Sequence, residues 1–423
     1  MVTVTIVGLG ERGAQTYGRY IMAHPDVAKI VAICDKNEEK LEELGNEFNV
    51  PQEFRFNDFE VLNSKERLSD IIIIATCDAD HFYQTKAALN KGYDILLEKP
   101  ISPDRLECIE IEKLATKLKR NVTVCHVMRY TAYYRKLKQL INANVIGKII
   151  GINQVENVAY WHQAHAFVRG NFRNSKETSP MILQKCCHDM DLMAWLVDGY
   201  PIDVSSTGEL NYFKQENAPK NASKRCVDCL ERKNSPYDAV HFYIDGFNAL
   251  PEEEKPFRWP FAMLAVNPTE EKLYNALKMG PYGRCVYYCD NDVVDFQEAT
   301  IHFDNGVTGH LTMTAFTYDG GRQTKVMGTK GELYLDEIRG EIVVGVYGRP
   351  KEIIPFSDLT NDFSGHGGGD AVMMKELFET FDSNLVCSTK ISNSVASHLM
   401  CFAAETSRLN NGKYVKIIPG ITS

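Results

Sequence analysis

The 423-residue chain reads as an α/β protein. A doubly wound parallel sheet of the Rossmann type comes first, and a second α/β domain on an open, mainly antiparallel sheet follows. Three observations predict this. A β-branched strand, Val2–Val7, runs straight into Gly8-Leu9-Gly10-Glu11-Arg12-Gly13, and Asp35 closes the next strand 22 positions after the last glycine. Strand and helix patterns then alternate to about residue 130. Beyond that point the strands are separated by hairpin-type turns such as Asp304-Asn305-Gly306. The length calls for two domains, expected at 1–130 and 131–423, with 211–268 as an insertion in the second.

Composition narrows the class. Apolar residues are 44% and charged residues 24%, the profile of a soluble globular protein. A net charge of −9 without a basic block excludes a nucleic-acid footprint. The longest apolar run, residues 71–75, is far too short to span a membrane. The chain enters a strand at once, and its 12 cysteines sit mostly inside apolar patterns, which together suggest free thiols in the cytoplasm.

In the first half, a helix pattern runs to Ala23 and a strand covers 29–34. Helix 36–48, strand 71–75, helix 81–91, strand 93–97, helix 105–119 and strand 122–127 follow. The Gly8 position permits the tight turn, Gly10 lets backbone approach a pyrophosphate, and Gly13 permits close helix–strand packing. Asp35 suits ribose hydroxyls and repels a 2′-phosphate, favouring NAD, while Lys36 beside it keeps NADP open. Ligands of such sheets lie beyond the carboxyl ends of strands, where Thr76, His81, Glu98, Lys99 and Arg129 fall.

In the second half, a linking helix covers 133–142, and 148–157, 292–303, 307–315 and 323–328 read as strands. Residues 179–197 read as one helix that puts Gln184, Lys185, His188 and Asp191 on neighbouring parts of a face. Its Lys185 and His188 are either a proton-handling pair or a snorkelling lysine beside a satisfied core histidine. The stretch 161–169 offers Trp161 to stack on a sugar and His165 and Arg169 to donate to hydroxyls, or is a polar loop with one aromatic anchor. Cys226 and Cys229 have metal-ligand spacing, but no second such pair follows, so loop thiols are expected and no metal. His366 either faces the cleft or helps Asp370 start a helix over 370–381, and helix 392–409 packs without chemistry.

The glycine motif, the Thr76–His81 turn, Glu98-Lys99-Pro100, Arg129-Tyr130, the His188/Asp191 pair and the 366–370 segment together resemble the Gfo/Idh/MocA family of nicotinamide-dependent oxidoreductases. The resemblance implies cofactor contacts from Gly8, Gly10, Arg12, Gly13, Asp35, Thr76, His81, Glu98 and Lys99. It implies Lys99 near the nicotinamide, His188 as acid/base, a cis bond before Pro100, and a homo-oligomer, dimer or tetramer. Substrate contacts are expected from Arg129, Trp161, His165, Arg169 and Gln184. One departure stands out: many members carry Asp four residues before the histidine, where this chain has Gln184. Lys185 is the compensating candidate, since Lys185-Cys186-Cys187-His188 resembles a subgroup's variant. Three functions follow as expectations: a dehydrogenase of a sugar or cyclitol hydroxyl, a redox-neutral glycoside-cleaving enzyme, or a sensor that has lost catalysis.

Overall fold

The computed structural model describes residues 1–255, 258–381, 383, 385 and 387–418; the remainder of the expected insertion and of the C-terminal domain lies outside the described residues. Strands β1 (Val2–Val7), β2 (Ala28–Cys34), β3 (Arg55–Phe56), β4 (Ile71–Ile74), β5 (Asp94–Leu97) and β6 (Val122–Val124) form one parallel sheet in the order β3-β2-β1-β4-β5-β6. The run of four isoleucines in β4 is buried throughout, because helices cover both faces of a parallel sheet. Its chain order reverses between β1 and β4, which opens a crevice at Gly8 and Thr76. The two-residue strand β3 and the helix Phe59–Asn63 carry too few residues to show a period, and pattern reading passed over them.

The second sheet has nine strands: β7 (Ile149–Ala159), β8 (Pro201–Glu209), β9 (Phe296–Phe303), β10 (Thr308–Thr317), β11 (Gly321–Gly328), β12 (Gly331–Asp336), β13 (Glu341–Val346), β14 (Glu352–Pro355) and β15 (Val415–Lys416). Neighbours are antiparallel except β7 and β10. Alternate residues of β10 and β11 are buried, as expected where one face is packed and the other open. β8 and β12 to β15 are further strands that the sequence reading did not place.

One apolar core runs from β1 through the helix Ile391–Leu409 into the second sheet, so both halves share it. Between β8 and β9 the chain leaves the sheet and builds a small core of its own from Cys226, Tyr243, Phe247, Phe261, Leu273 and Leu277. This excursion continues past residue 268, because the helix Glu270–Met279 packs in the same core.

The expected single helix over 179–197 is broken. Met181–Gln184 forms one turn, the chain bends at Lys185 and Cys186, and Cys187–Val197 continues as a helix. Nearly all of that second helix is buried, so its polar side chains face protein rather than water. A helix buried all round lacks the solvent face that an amphipathic reading assumes.

Candidate active site

The site begins where β1 stops. Gly8 has φ +91°, in the left-handed region, and a side chain there would collide with the Ala75 carbonyl. Gly13 lies so close to the Gly8 carbonyl that any Cβ would overlap it. A Cβ on Gly10 would instead meet open space, and the helix Glu11–Gly18 starts there with no side chain capping its N–H groups. Uncapped N–H groups beside a clear approach fit a pyrophosphate. The Asp35 carboxylate accepts hydrogen bonds from the Leu9 N–H at 2.6 Å and the Asn37 N–H at 2.8 Å, so it clamps the glycine loop from the end of β2. Asp35→Ser is expected to weaken NADH binding and shift the NADH:NADPH affinity ratio toward NADPH by roughly tenfold or more, because a carboxylate beside the glycine loop repels a 2′-phosphate. Fluorescence titration with both cofactors checks this; an unchanged ratio would place the ribose elsewhere.

Arg12, expected as a cofactor contact, has its guanidinium engaged by protein. Its Nε donates to Glu98 at 2.6 Å, and its terminal nitrogens donate to Asp370 at 2.6 and 3.0 Å, to Tyr17 at 2.7 Å and to Thr16 at 3.3 Å. The guanidinium thus clasps the nucleotide half to the helix Gly369–Thr380. Glu98 is buried, yet Arg12 and Lys99 outweigh that burial and lower its pKa, so it is ionised. Asp370 is likewise held well below the usual carboxylate range, with Arg12 and His366 overcoming desolvation.

His81 is engaged by protein as well. It is buried, with Nδ1 2.7 Å from the Pro100 carbonyl and Nε2 3.1 Å from that of Thr76, so both ring nitrogens meet backbone. Nε2 of His398 accepts the Ile101 N–H at 2.9 Å, while its Nδ1 lies 3.0 Å from the Ser394 carbonyl. Two histidines therefore hold the Pro100–Ile101 peptide, which directly follows the cis Lys99–Pro100 bond. Thr76 donates to Gln84 at 2.7 Å. The anchoring role of His398 escaped the sequence reading, which saw only packing in its helix.

Held in this way, Lys99 reaches across the crevice and its Nζ donates to the Gln184 carbonyl at 2.9 Å. One turn later stands His188, buried, with Nδ1 lacking any protein partner. Burial first, then the positive charge of Lys99, holds the imidazole well below its ordinary pKa, so it is neutral near pH 7. The ring of His126 packs edge-on at 5.6 Å, and that of His366 lies 6.2 Å away. His366 also contacts Asp370 at 3.0 Å. The side-chain oxygen of Gln184 is buried and unpartnered as well.

Lys185, in the bend, pairs with Glu156 on β7 at 3.2 Å. Glu156 in turn meets Arg322 of β11 at 2.6 Å, and Arg322 meets Asp189 at 2.9 Å. Lys185 is thus the outer member of a buried charge network in which Glu156 and Arg322 come from strands and Asp189 from the helix itself. The network fixes the bend that presents His188.

Three expected substrate contacts are engaged elsewhere. Arg129 is buried and forms a two-pronged pair with Asp191, both bonds 2.6 Å. Its neighbour in the resemblance, Asp191, is therefore a partner of Arg129. His165 is buried, bonds the Tyr243 hydroxyl at 2.7 Å and stacks on Tyr282. Arg169 donates to the carbonyls of Arg284 at 2.7 Å and Tyr237 at 2.6 Å, tying the excursion down. Trp161 stays half-buried beside Phe242 and Trp259. The neighbouring His162, not singled out from sequence, has its ring 5.4 Å from that of Trp259. Among the described residues, no three of His, Cys, Asp or Glu gather as a metal site, and all twelve cysteines are free thiols. Cys226 accepts from Arg169 at 3.6 Å, and Cys229 accepts from the Ser223 N–H at 3.4 Å. No helix among the described residues is long and apolar enough to cross a membrane.

The buried histidines carry a pH signature. Burial lowers His165 and His398 from 6.5 to about 3 and pushes His126 and His188 well below 6.5. Each ring binds its proton more weakly in the folded state than in the unfolded one. Their stabilisation is complete above pH 6.5 and is lost as pH falls from there toward about 3. Burial raises Asp189 to about 6 and Glu337 to about 7, and raises Glu11, Glu112 and Asp191 as well, which opposes the trend, while His162 and His366 are lowered along with the four rings above. Thermal unfolding followed by circular dichroism should show Tm falling already between pH 6.5 and 5. A Tm flat to pH 5 would contradict the burial of these rings.

A strand–glycine–helix cradle facing a lysine and a neutral histidine defines a nicotinamide-dependent oxidoreductase. Residues 2–126 match the Gfo/Idh/MocA oxidoreductase family's NAD-binding Rossmann fold, and residues 138–345 match that family's C-terminal alpha/beta domain. The chain belongs to this family, and its N-terminal half is an NAD-binding domain. It is 24% identical over 364 residues to YteT of Bacillus subtilis, covering 83% of this chain and 79% of that protein. It is 29% identical over 207 residues to 2,7-anhydro-N-acetylneuraminate hydratase of Mediterraneibacter gnavus, about half of each chain (49% and 52%). Levoglucosan dehydrogenase, solved with NADH and levoglucosan, shares the fold with a TM-score of 0.71 at 15% identity, covering 98% of this chain and 99% of that one.

Proposed function

We propose that the protein transfers a hydride between NAD and a secondary hydroxyl of a sugar or cyclitol. The observation that carries this reading is the pairing of Lys99 with a buried, neutral His188 whose Nδ1 has no protein partner. Bound nicotinamide supplies the hydride acceptor or donor. Backbone N–H groups from Gly10 onward hold the pyrophosphate, Asp35 the ribose, and Thr76 and Lys99 flank the crevice. His188 accepts the hydroxyl proton, for which a neutral ring is required. The Lys99 ammonium stabilises the alkoxide that forms as the proton leaves. The unpartnered Gln184 amide oxygen accepts from a neighbouring hydroxyl. Self-association into a dimer or tetramer belongs to the same proposal.

Redox-neutral cleavage of a glycoside is the second reading, favoured by the similarity to a named hydratase. A panel of sugars, inositols and aryl glycosides separates the two. Accumulation of NADH with a free sugar or inositol supports oxidation, whereas release of the aryl group without net NADH supports cleavage. No reaction across the panel would sink both.

A further inference from the structure

The excursion between β8 and β9 encloses a cavity of about 830 Å³ against the segment that follows β7. That is enough for a ligand larger than one sugar ring. Its walls include Tyr160, Trp161, Tyr237, Phe242 and Trp259. All five rings are half-buried, so each leaves aromatic surface uncovered. Rings that served only as core would be closed off on every side, as Tyr243 beneath them is. Two of the protein's three tryptophans, Trp161 and Trp259, stand 5.6 Å apart here.

The charged groups on the wall already have partners. Asp238 pairs with Arg232 at 2.9 Å, Asp245 with His241 at 3.0 Å, and Arg258 with Glu254 at 3.7 Å. Arg169 gives its donors to backbone carbonyls. Burial raises the pKa of Glu11, with Arg12 and Arg19 opposing the rise. A wall of open aromatic faces favours an uncharged occupant with C–H or aryl surface. With Arg169 so engaged, a phosphate or carboxylate would meet only Arg258, exposed and 3.7 Å from Glu254, against the carboxylates of Glu11, Asp238 and Asp245.

Location connects the cavity to the reaction. Neither Lys99 nor His188 lines it, so it is not the reaction centre itself. Its rim includes Glu11, first residue of the helix after the glycine loop, and Gly365, next to His366, whose ring is 6.2 Å from His188. Trp161 on the wall is followed directly by His162.

We infer that this aromatic cavity is a distal subsite for the uncharged second sugar or aryl group of a glycoside whose first ring lies at Lys99 and His188. The inference rests on the hydroxyl-oxidising reading above and names its substrate class: neutral glycosides rather than free monosaccharides or cyclitols.

The test uses the intact enzyme. Tryptophan emission is titrated with cellobiose, maltose, lactose and phenyl β-D-glucoside, and with glucose and myo-inositol as one-ring controls. Turnover with NAD is measured on the same compounds. The expected result is an emission shift with at least one two-ring compound, and a KM for it at least tenfold below that of its one-ring counterpart. Trp259→Ala should reduce this two-ring over one-ring preference roughly tenfold, since aromatic contact surface is lost. Trp259→Phe should retain most of it, which separates stacking from misfolding. Emission shifts without NADH from any sugar would uphold the subsite and overturn the oxidative reading. Turnover of one-ring and two-ring compounds with equal KM, or no emission shift with any probe, would overturn the subsite and leave the oxidative reading standing.

Discussion

His188→Asn is expected to lower turnover by roughly a hundred- to ten-thousand-fold, the usual scale for removing a positioned acid/base. Asparagine keeps a polar group of comparable reach but cannot take up a proton near pH 7. NADH affinity should change by no more than about twofold, because the glycine loop and Asp35 sit on β1 and β2 while His188 stands on a helix of the other half. The buried-ring alternative forecasts the reverse: a lower Tm with near-normal turnover in the folded fraction. Melting temperature, NADH titration and turnover on one preparation separate the two. A folded, NADH-binding variant within a few-fold of wild-type turnover would remove His188 from the chemistry. The orphaned Nδ1 favours the first outcome, since a histidine kept only for packing normally has its ring nitrogens satisfied.

Arg129→Leu should be the most destabilising change among the site residues. Asp191 is 1% exposed and receives both of its short bonds from Arg129. Removing the cation strands a buried carboxylate, a loss on the order of 3–5 kcal/mol. In a domain-sized unit that corresponds to a fall in Tm of about 5–15 °C. Deleting both charges in Arg129→Leu/Asp191→Leu should restore a large part of the loss, because no lone charge then remains buried. If Arg129→Leu instead melted like wild type and raised the KM for sugar, Arg129 would be the substrate contact that its place at a strand end suggested.

The nucleotide half was the most legible part of the chain. Gly8, Gly10, Gly13 and Asp35 act through backbone geometry and short sequence separation, so a local motif carries most of their meaning. The buried run of β4 and the alternation of β10 and β11 were equally plain, because each follows from which faces its sheet covers. Pattern failed at β3, too short for a period, and at residues 179–197. There the polar side chains that implied a solvent edge are answered by Glu156, Arg322 and Arg129 from other elements.

Sequence alone determined the two-sheet α/β architecture and the dinucleotide-binding half, and it named Lys99 and His188 as the residues on which the proposed chemistry rests. Tertiary structure alone decided who partners whom. Arg12 is taken by Glu98 and Asp370, His81 by Pro100 and Thr76, Arg129 by Asp191, His165 by Tyr243, and Arg169 by the excursion's carbonyls. All of these would pass for site residues by type and position. The physical reason is that a buried polar group must find a partner, and that partner often lies far along the chain, as Asp370 lies 358 positions from Arg12. Local pattern indicates that a side chain is polar and near a strand end. Only the fold shows whether protein has already claimed its hydrogen bonds or whether, as at His188 Nδ1, no protein group does.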